Sequence, residues 1–426
     1  MIISTSFLFL LFILSAITSK SMVIAGISIG DILLLVSSLL FFLLYIKEIK
    51  FEIDEIFLLV LLLIFAFISG LNANIKFEYF DKLEFFKSFF KLIFYSITFL
   101  IFTSLAKIIS KPKAVKIIFY ISAINALLAL LIYIFQNLNI NINFYNFFWY
   151  GLEEPGKIGT DVKHWSIGNF TLIRLRGIFA EASLYGIYQS LSIAIILLNF
   201  PEILKKYKFV TSVIFLSIIF TYSISTYAIV FVIFITFLIN YKTRGVVFSL
   251  ILSYTPILIV CLILFFLLIS SYGFFEVFYE RIFLRISDFL QGNERSGVQR
   301  FNQSFVTAVT GLKSSILFGS GLGNLELLFN QKEYSTFYIT GINELVSYSA
   351  RMHIIPYSIL GELGLIGFLI FTLLLFKKLN IKNFYLFIFY ILVLYSSGTY
   401  LDSFFWITFA LIRLLDGIGT IEQKKI

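Results

Sequence analysis

Ile56-Phe-Leu-Leu-Val-Leu-Leu-Leu-Ile-Phe-Ala-Phe-Ile-Ser-Gly-Leu-Asn72 contains no charged side chain, and it is flanked by Asp54 and Glu55 before it and Lys76 after it. An uninterrupted apolar run approaching about 20 residues predicts a helix that crosses a membrane. Similar runs recur near 2–19, 27–46, 89–106, 116–137, 182–200, 208–222, 225–240, 245–271, 352–376, 384–397 and 403–415. The reading is an all-α integral membrane protein of about twelve transmembrane helices. The last two runs are short enough to form a single re-entrant unit instead. Residues 2–19 lack a basic leading segment and a small-residue cleavage site, so they are expected to be a first span and not a removed signal.

Composition agrees. The chain has 426 residues, 60% of them hydrophobic, and a mean hydropathy of +0.98. A soluble core could not hide that much apolar side chain. The single Cys261 lies inside an apolar run, which excludes disulfides and a cysteine metal site. The formal net charge is +9. Lysines facing anionic lipid headgroups account for it, and it does not imply nucleic acid.

The lysines set the orientation. Lys47/Lys50, Lys107/Lys111/Lys113/Lys116, Lys205/Lys206/Lys208, Lys242 with Arg244, Lys377/Lys378/Lys382 and Lys424/Lys425 all fall between runs on one side. That side is expected to be cytoplasmic, with both termini. Residues 1–426 then form one polytopic domain with two long outer loops, 138–181 and 272–350. Both loops are rich in aromatics. In the second, Val298, Phe301, Phe305, Ala308, Leu312 and Ile316 recur at helical spacing, and Gly319, Gly321 and Gly323 are expected to end that helix. Residues 274–290 form another amphipathic segment. A third, 75–92, is expected to lie on the outer membrane surface.

Arginine is distributed differently. Seven of the nine arginines fall in the two outer loops or at their edge: Arg174, Arg176, Arg281, Arg285, Arg295 and Arg300 within them, and Arg351 directly after the second. A guanidinium grips phosphate or carboxylate through two parallel hydrogen bonds, which lysine cannot do. An arginine set on the side opposite the lysines points to an anionic ligand there, phosphate above all.

Three clusters carry that chemistry. In Arg174-Leu-Arg-Gly-Ile-Phe-Ala-Glu-Ala-Ser183, Arg174, Arg176 and Glu181 fall at the outer boundary of a span, as a half-desolvated anion grip or as snorkelling arginines paired with Glu181. In Ser296-Gly-Val-Gln-Arg300 and the downstream Gly319-Ser-Gly-Leu-Gly-Asn324, Arg300 is the functional candidate, and the glycines form an anion nest or a plain cap. In Arg351-Met-His353, followed by Glu362-Leu-Gly364-Leu-Ile-Gly367, His353 falls at the membrane re-entry. Glu362 lies deeper, as a functional carboxylate or as an anchor for an arginine or a backbone group. Arg281, Arg285 and Asp288 look like a solvated ion-pair set. His164 and Trp165 read as structural, and the adjacent Glu153 and Glu154 imply no geometry. Two distant histidines supply no metal site.

These clusters, in this order, resemble the O-antigen polymerase (Wzy) and O-antigen ligase family, over about residues 27–400. Arg174-x-x-Gly177-x-Phe179-x-Glu181-x-Ser183 is similar to the family's Arg-x-x-Gly-x-Phe-x-Glu-Pro-Ser, with Ala182 in place of proline. Arg300 and Gly311 resemble an Arg-x10-Gly loop pattern, which the first loop does not reproduce. His353 with the downstream Glu-Leu-Gly-Leu-Ile-Gly resembles the family's His-Asn…Glu-x-Gly-x-x-Gly, with Ile354 in place of asparagine. The resemblance implies a glycosyltransferase C-like fold in the bacterial inner membrane. It implies metal-independent and cofactor-free transfer between undecaprenyl-pyrophosphate-linked oligosaccharides, acting as donor and acceptor, on the periplasmic face. Arg174, Arg176, Arg300 and Arg351 would bind pyrophosphate, and His353 or Glu181 would be the base. Membrane lipid and a chain-length regulator protein are the other partners implied. Polymerase is favoured by the Glu181/Ser183 segment and the Arg300 to Gly311 spacing. Ligase, which transfers the glycan to lipid A core, shares the donor. A flippase or transporter would need charges at mid-membrane and repeated halves, and no repeat is visible.

Overall fold

A computed structural model describes residues 4–18, 23–24, 27–49, 51–78, 80–137, 165–167, 170–172, 175–179, 182–221, 223–239, 245, 248, 295–329, 354–377, 394, 400–401 and 403–417. In chain order the elements are α1 (Thr5–Thr18), β1 (Val23–Ile24), β2 (Ile27–Ser28), α2 (Ile29–Tyr45), α3 (Ile53–Lys76), α4 (Lys82–Ile108) and α5 (Lys111–Asn137). They continue with β3 (Trp165–Ile167), β4 (Phe170–Leu172), α6 (Ala182–Asn199), α7 (Glu202–Lys206), α8 (Lys208–Ile219) and α9 (Ile224–Ile239). The last are α10 (Arg295–Ser314), α11 (Leu325–Phe329), α12 (Ile355–Phe376) and α13 (Ser403–Gly417). Among the described residues the elements are helical apart from two short antiparallel hairpins, β1–β2 and β3–β4.

Among the described residues, five helices are long and apolar enough to cross a membrane: Ile29–Glu48, Ile53–Lys76, Lys82–Ile108, Pro112–Phe135 and Ile355–Phe376. The 24 residues of α3 span about 36 Å, more than a hydrocarbon core of about 30 Å. Shorter apolar helices cover Thr5–Thr18, Ala182–Leu197, Lys208–Ile219 and Thr226–Leu238. The apolar runs near 2–19, 27–46, 56–72, 89–106, 116–137, 182–200, 208–222, 225–240, 352–376 and 403–415 thus coincide with helices. Nearly all of the runs at 245–271 and 384–397, the segment 274–290 and residues 138–164 of the first loop lie outside the described residues.

The expectation of one surface segment over 75–92 is corrected. α3 runs on to Lys76, the chain turns over 77–81, and α4 then continues unbroken to Ile108. Asp81 explains the break. Its Oδ1 accepts the amides of Leu83 at 2.8 Å and Glu84 at 3.1 Å, capping the start of α4.

The chain divides into two compact units. The first contains residues 1–44, 105–290 and 414–426. Within it α5 packs on α6 and α8, and α6 packs on α9. Tyr133 at the end of α5 stacks on Phe220 at 5.1 Å. A polar seam runs through the interior. Tyr185 Oη donates to Ser217 Oγ at 2.7 Å, and Gln189 Nε2 donates to the Ser122 carbonyl at 3.1 Å and to Tyr185 Oη at 3.2 Å.

The second unit contains residues 45–104 and 291–413. α12 packs on both α3 and α10. Phe305 and Tyr357 meet edge to face at 5.9 Å, and further along Gly311 backs onto the Gly361 carbonyl, where an added Cβ would come within 2.2 Å. α10 and α12 therefore run in the same direction, with small residues allowing close backbone approach. At the far end of α12, Lys377 pairs with Asp54 of α3 at 2.8 Å. Phe99 stacks on Phe409 at 5.0 Å, and Trp406 Nε1 donates to the Tyr400 carbonyl at 2.7 Å.

Candidate functional site

α12 reads as one apolar run, but it is not one continuous helix. Gly364 has φ 66 and ψ −168, a conformation that interrupts the helix and that only glycine adopts without strain. A break there frees carbonyls before it and amides after it, and buried backbone groups must find partners. The turn that follows α10 supplies them. Ser320 N donates to Gly361 O at 3.0 Å and Gly321 N to Glu362 O at 3.0 Å. In return Leu365 N donates to Ile316 O at 3.0 Å and Ile366 N to Leu317 O at 3.4 Å. Ser69 of α3 closes the exchange, since its hydroxyl bonds Glu362 O at 2.8 Å and also the Phe318 carbonyl.

The Glu362 side chain joins this assembly. Its Oε1 accepts the Gly323 amide at 3.1 Å, and its Oε2 accepts the hydroxyl of Tyr400, a residue only 2% exposed. Beside it, Asn324 Oδ1 accepts the Asp81 amide at 2.8 Å, and Asn324 Nδ2 donates to the carbonyls of Asp81 and Leu322 at 3.3 and 3.1 Å. Of the two roles open to Glu362, an anchor for a backbone group is the one seen here.

Of the two readings open for 319–323, an anion nest or a plain cap, the hydrogen bonds favour the second. The three glycines have positive φ, but they lie in the turn beyond α10, whose helix already stops at Ser314, short of Ile316. Their amides are already engaged: Gly319 N bonds Ser315 O at 2.8 Å, Gly321 N bonds Glu362 O, and Gly323 N bonds the Glu362 carboxylate. The side chain held by this turn is the chain's own Glu362.

A second polar constellation lies in the first unit. Leu175 N donates to Phe220 O at 2.9 Å, and Phe179 N closes a turn onto Arg176 O at 3.1 Å. Gly177 sits at φ 56, so close to Ala129 of α5 that an added Cβ would approach it to 2.9 Å. The Phe179 ring packs on Tyr185 at 5.8 Å and Tyr188 at 5.9 Å. This turn is folded into the unit, and Arg176 is 7% exposed. An arginine enclosed among apolar helices holds its charge in a low dielectric, where its attraction for an anion is strengthened.

The other expected site residues are placed as follows. Arg300 occupies the second turn of α10 and belongs to the second unit, whereas Arg176 belongs to the first. Arg174, Glu181, Arg351 and His353 lie outside the described residues. Sequence reasoning missed Tyr400, Ser69 and the Asp81/Asn324 pair. Only the last left a local signal, since Asp81 precedes Glu84 by three residues in the manner of a helix cap.

No family model matches this chain, and no curated protein or solved structure matches it either. The functional reading rests on the residues and their geometry.

Proposed function

We propose that this chain is a polytopic enzyme of the bacterial inner membrane that polymerises undecaprenyl-pyrophosphate-linked oligosaccharide repeat units on the periplasmic face. About twelve transmembrane helices in a glycosyltransferase C-like arrangement would hold the site, with 138–181 and 272–350 on the outer side. The observation that carries the reading is the distribution of charge: most arginines gather in or beside two loops, whereas fifteen of the 24 lysines cluster at the other ends of the apolar runs. The membrane-length helices support it, as does the enclosure of Arg176.

In the proposed reaction an acceptor sugar hydroxyl attacks the anomeric carbon of the donor. The bond from that carbon to the pyrophosphate oxygen breaks, and the lipid pyrophosphate leaves with the electron pair. Arg174, Arg176, Arg300 and Arg351 would stabilise the charge that develops on the leaving group, which makes a divalent ion unnecessary. The hydroxyl proton would pass to His353 or Glu181.

Ligase activity is the alternative with the same donor and a lipid A core acceptor. A transporter reading gains from one observation, the broken helix α12, because discontinuous helices line many transport sites. The test is purified protein in detergent with lipid-linked repeat units. Polymerase predicts a ladder of lengthening glycan chains. Transfer only when lipid A core is added would favour ligase, and no transfer with either acceptor would overturn both enzymatic readings.

A further inference from the structure

We propose that Glu362 is a positioning residue: its carboxylate clamps the turn after α10 to α12 and so sets the depth of Arg300 at the outer membrane boundary. The proposal builds on the transfer reading above. Its structural part is tested separately.

The geometry defines the lever. Phe305 lies level with Tyr357, near the start of α12, and Gly311 lies level with Gly361. The second half of α10 and the turn after it thus run beside a membrane-length helix, as a re-entrant element. Arg300 precedes Phe305 by five residues, about 7.5 Å along the axis. That places it above the first turn of α12, where the membrane ends in the proposed topology.

α10 is poorly suited to hold that depth by hydrophobicity alone. Ser304, Thr307 and Thr310 on its inner face are fully buried, and its sequence is polar for a helix in this position. Its register is set by the turn, through the backbone exchange with α12 and through Glu362. Among the described residues, Glu362 alone bonds the turn and Tyr400 with one side chain. Both carboxylate oxygens already accept hydrogen bonds from within the protein, which suits a clamp better than a group that takes a proton from substrate.

The carboxylate can be replaced isosterically. In Glu362→Gln the amide oxygen still accepts from Gly323, and the amide nitrogen donates to the Tyr400 oxygen once that hydroxyl rotates. Glu362→Ala leaves the Gly323 amide and the Tyr400 hydroxyl without these acceptors.

The experiment measures chain elongation by purified protein for Glu362→Gln, Glu362→Ala, Tyr400→Phe, Arg300→Lys and the double variant Glu362→Ala/Arg300→Lys. Positioning predicts that Gln keeps activity within about threefold, while Ala loses on the order of 10²-fold, as expected when a reacting group is displaced by about 1 Å. The double variant should be no worse than Arg300→Lys, because Glu362 acts through that arginine. A Gln variant as inactive as Ala would overturn positioning in favour of proton transfer. Losses that multiply in the double variant would reduce Glu362 to a general stabiliser. If Glu362→Ala does not accumulate, Tyr400→Phe removes one of the two bonds and should show a smaller loss with the same non-additivity.

A second measurement needs no activity. In a Cys261→Ser background, Arg300→Cys should react with an impermeant thiol reagent at a rate that Glu362→Ala changes and Glu362→Gln preserves. An unchanged rate in Glu362→Ala would sink the clamp. Inactive wild-type protein with a Glu362-dependent labelling rate would sink the transfer reading and leave the clamp standing.

Discussion

The hydroxyl of Ser69 on α3 donates to the carbonyl of Glu362 on α12 at 2.8 Å, at the point where α12 ceases to be helical. The same hydroxyl bonds Phe318 O, so one small side chain joins α3, the broken helix and the turn that fills the break. The join consists of one hydroxyl and two backbone carbonyls. It works because a helix interrupted between membrane-length helices must satisfy its backbone locally.

Ser69→Ala should therefore destabilise the protein without touching the proposed chemistry. Glu362 O keeps its bond from Gly321 N, which limits the loss to about 1 kcal/mol. Thermal unfolding in detergent should show a modest drop in Tm. A drop as large as that of a core truncation would mean that Ser69 does more than bridge two carbonyls.

Gly364→Ala should be worse. The backbone at φ 66 and ψ −168 excludes a side chain at a cost of about 1–3 kcal/mol, and the new Cβ would lie 2.5 Å from Leu317 O. Gly245, where nothing among the described residues lies within 4 Å, supplies the control. Gly245→Ala should leave Tm unchanged. Equal Tm for the two variants would show that α12 straightens at little cost.

Arg174→Lys and Arg300→Lys should each lose most glycan polymerisation at equal protein level, because a point charge does not reproduce the guanidinium fork. Glycan ladders from cells carrying each variant provide the readout. Normal ladders from both would remove the arginines from the donor site.

His353→Ala should still bind donor but turn over about 10²–10⁴-fold more slowly, if the imidazole accepts the acceptor proton. Elongation by the wild-type protein should persist in EDTA. Near-normal turnover in the variant moves the base role to Glu181, and loss in EDTA with rescue by magnesium defeats the metal-independent route.

Asn293→Cys in a Cys261→Ser background should react with an impermeant thiol reagent in intact cells whose outer membrane has been permeabilised. Lysines concentrate at the opposite ends of the apolar runs, which predicts that the loop carrying residue 293 lies outside. Reaction only after lysis would invert the topology.

The sequence by itself determined the membrane character of this chain and the placement of its helices. Long uncharged runs such as 56–72 report an average over many residues, and that average survives any local detail. The spacing of Phe305, Ala308 and Leu312 likewise reported α10, and the glycines reported the turn that follows it. What only the tertiary structure decided was where helices stop for reasons outside themselves. Over 75–92 the apolar pattern runs straight through a break made by one capping carboxylate, Asp81. Apart from Glu362, α12 is apolar on both sides of Gly364, so its periodicity cannot show that the turn at 316–321 fills the break. Glu362 and Gly323 are 39 residues apart, and Ser69 and Glu362 are 293 apart. Hydropathy is summed along the chain, whereas a hydrogen bond forms between groups that folding alone brings within about 3 Å of each other.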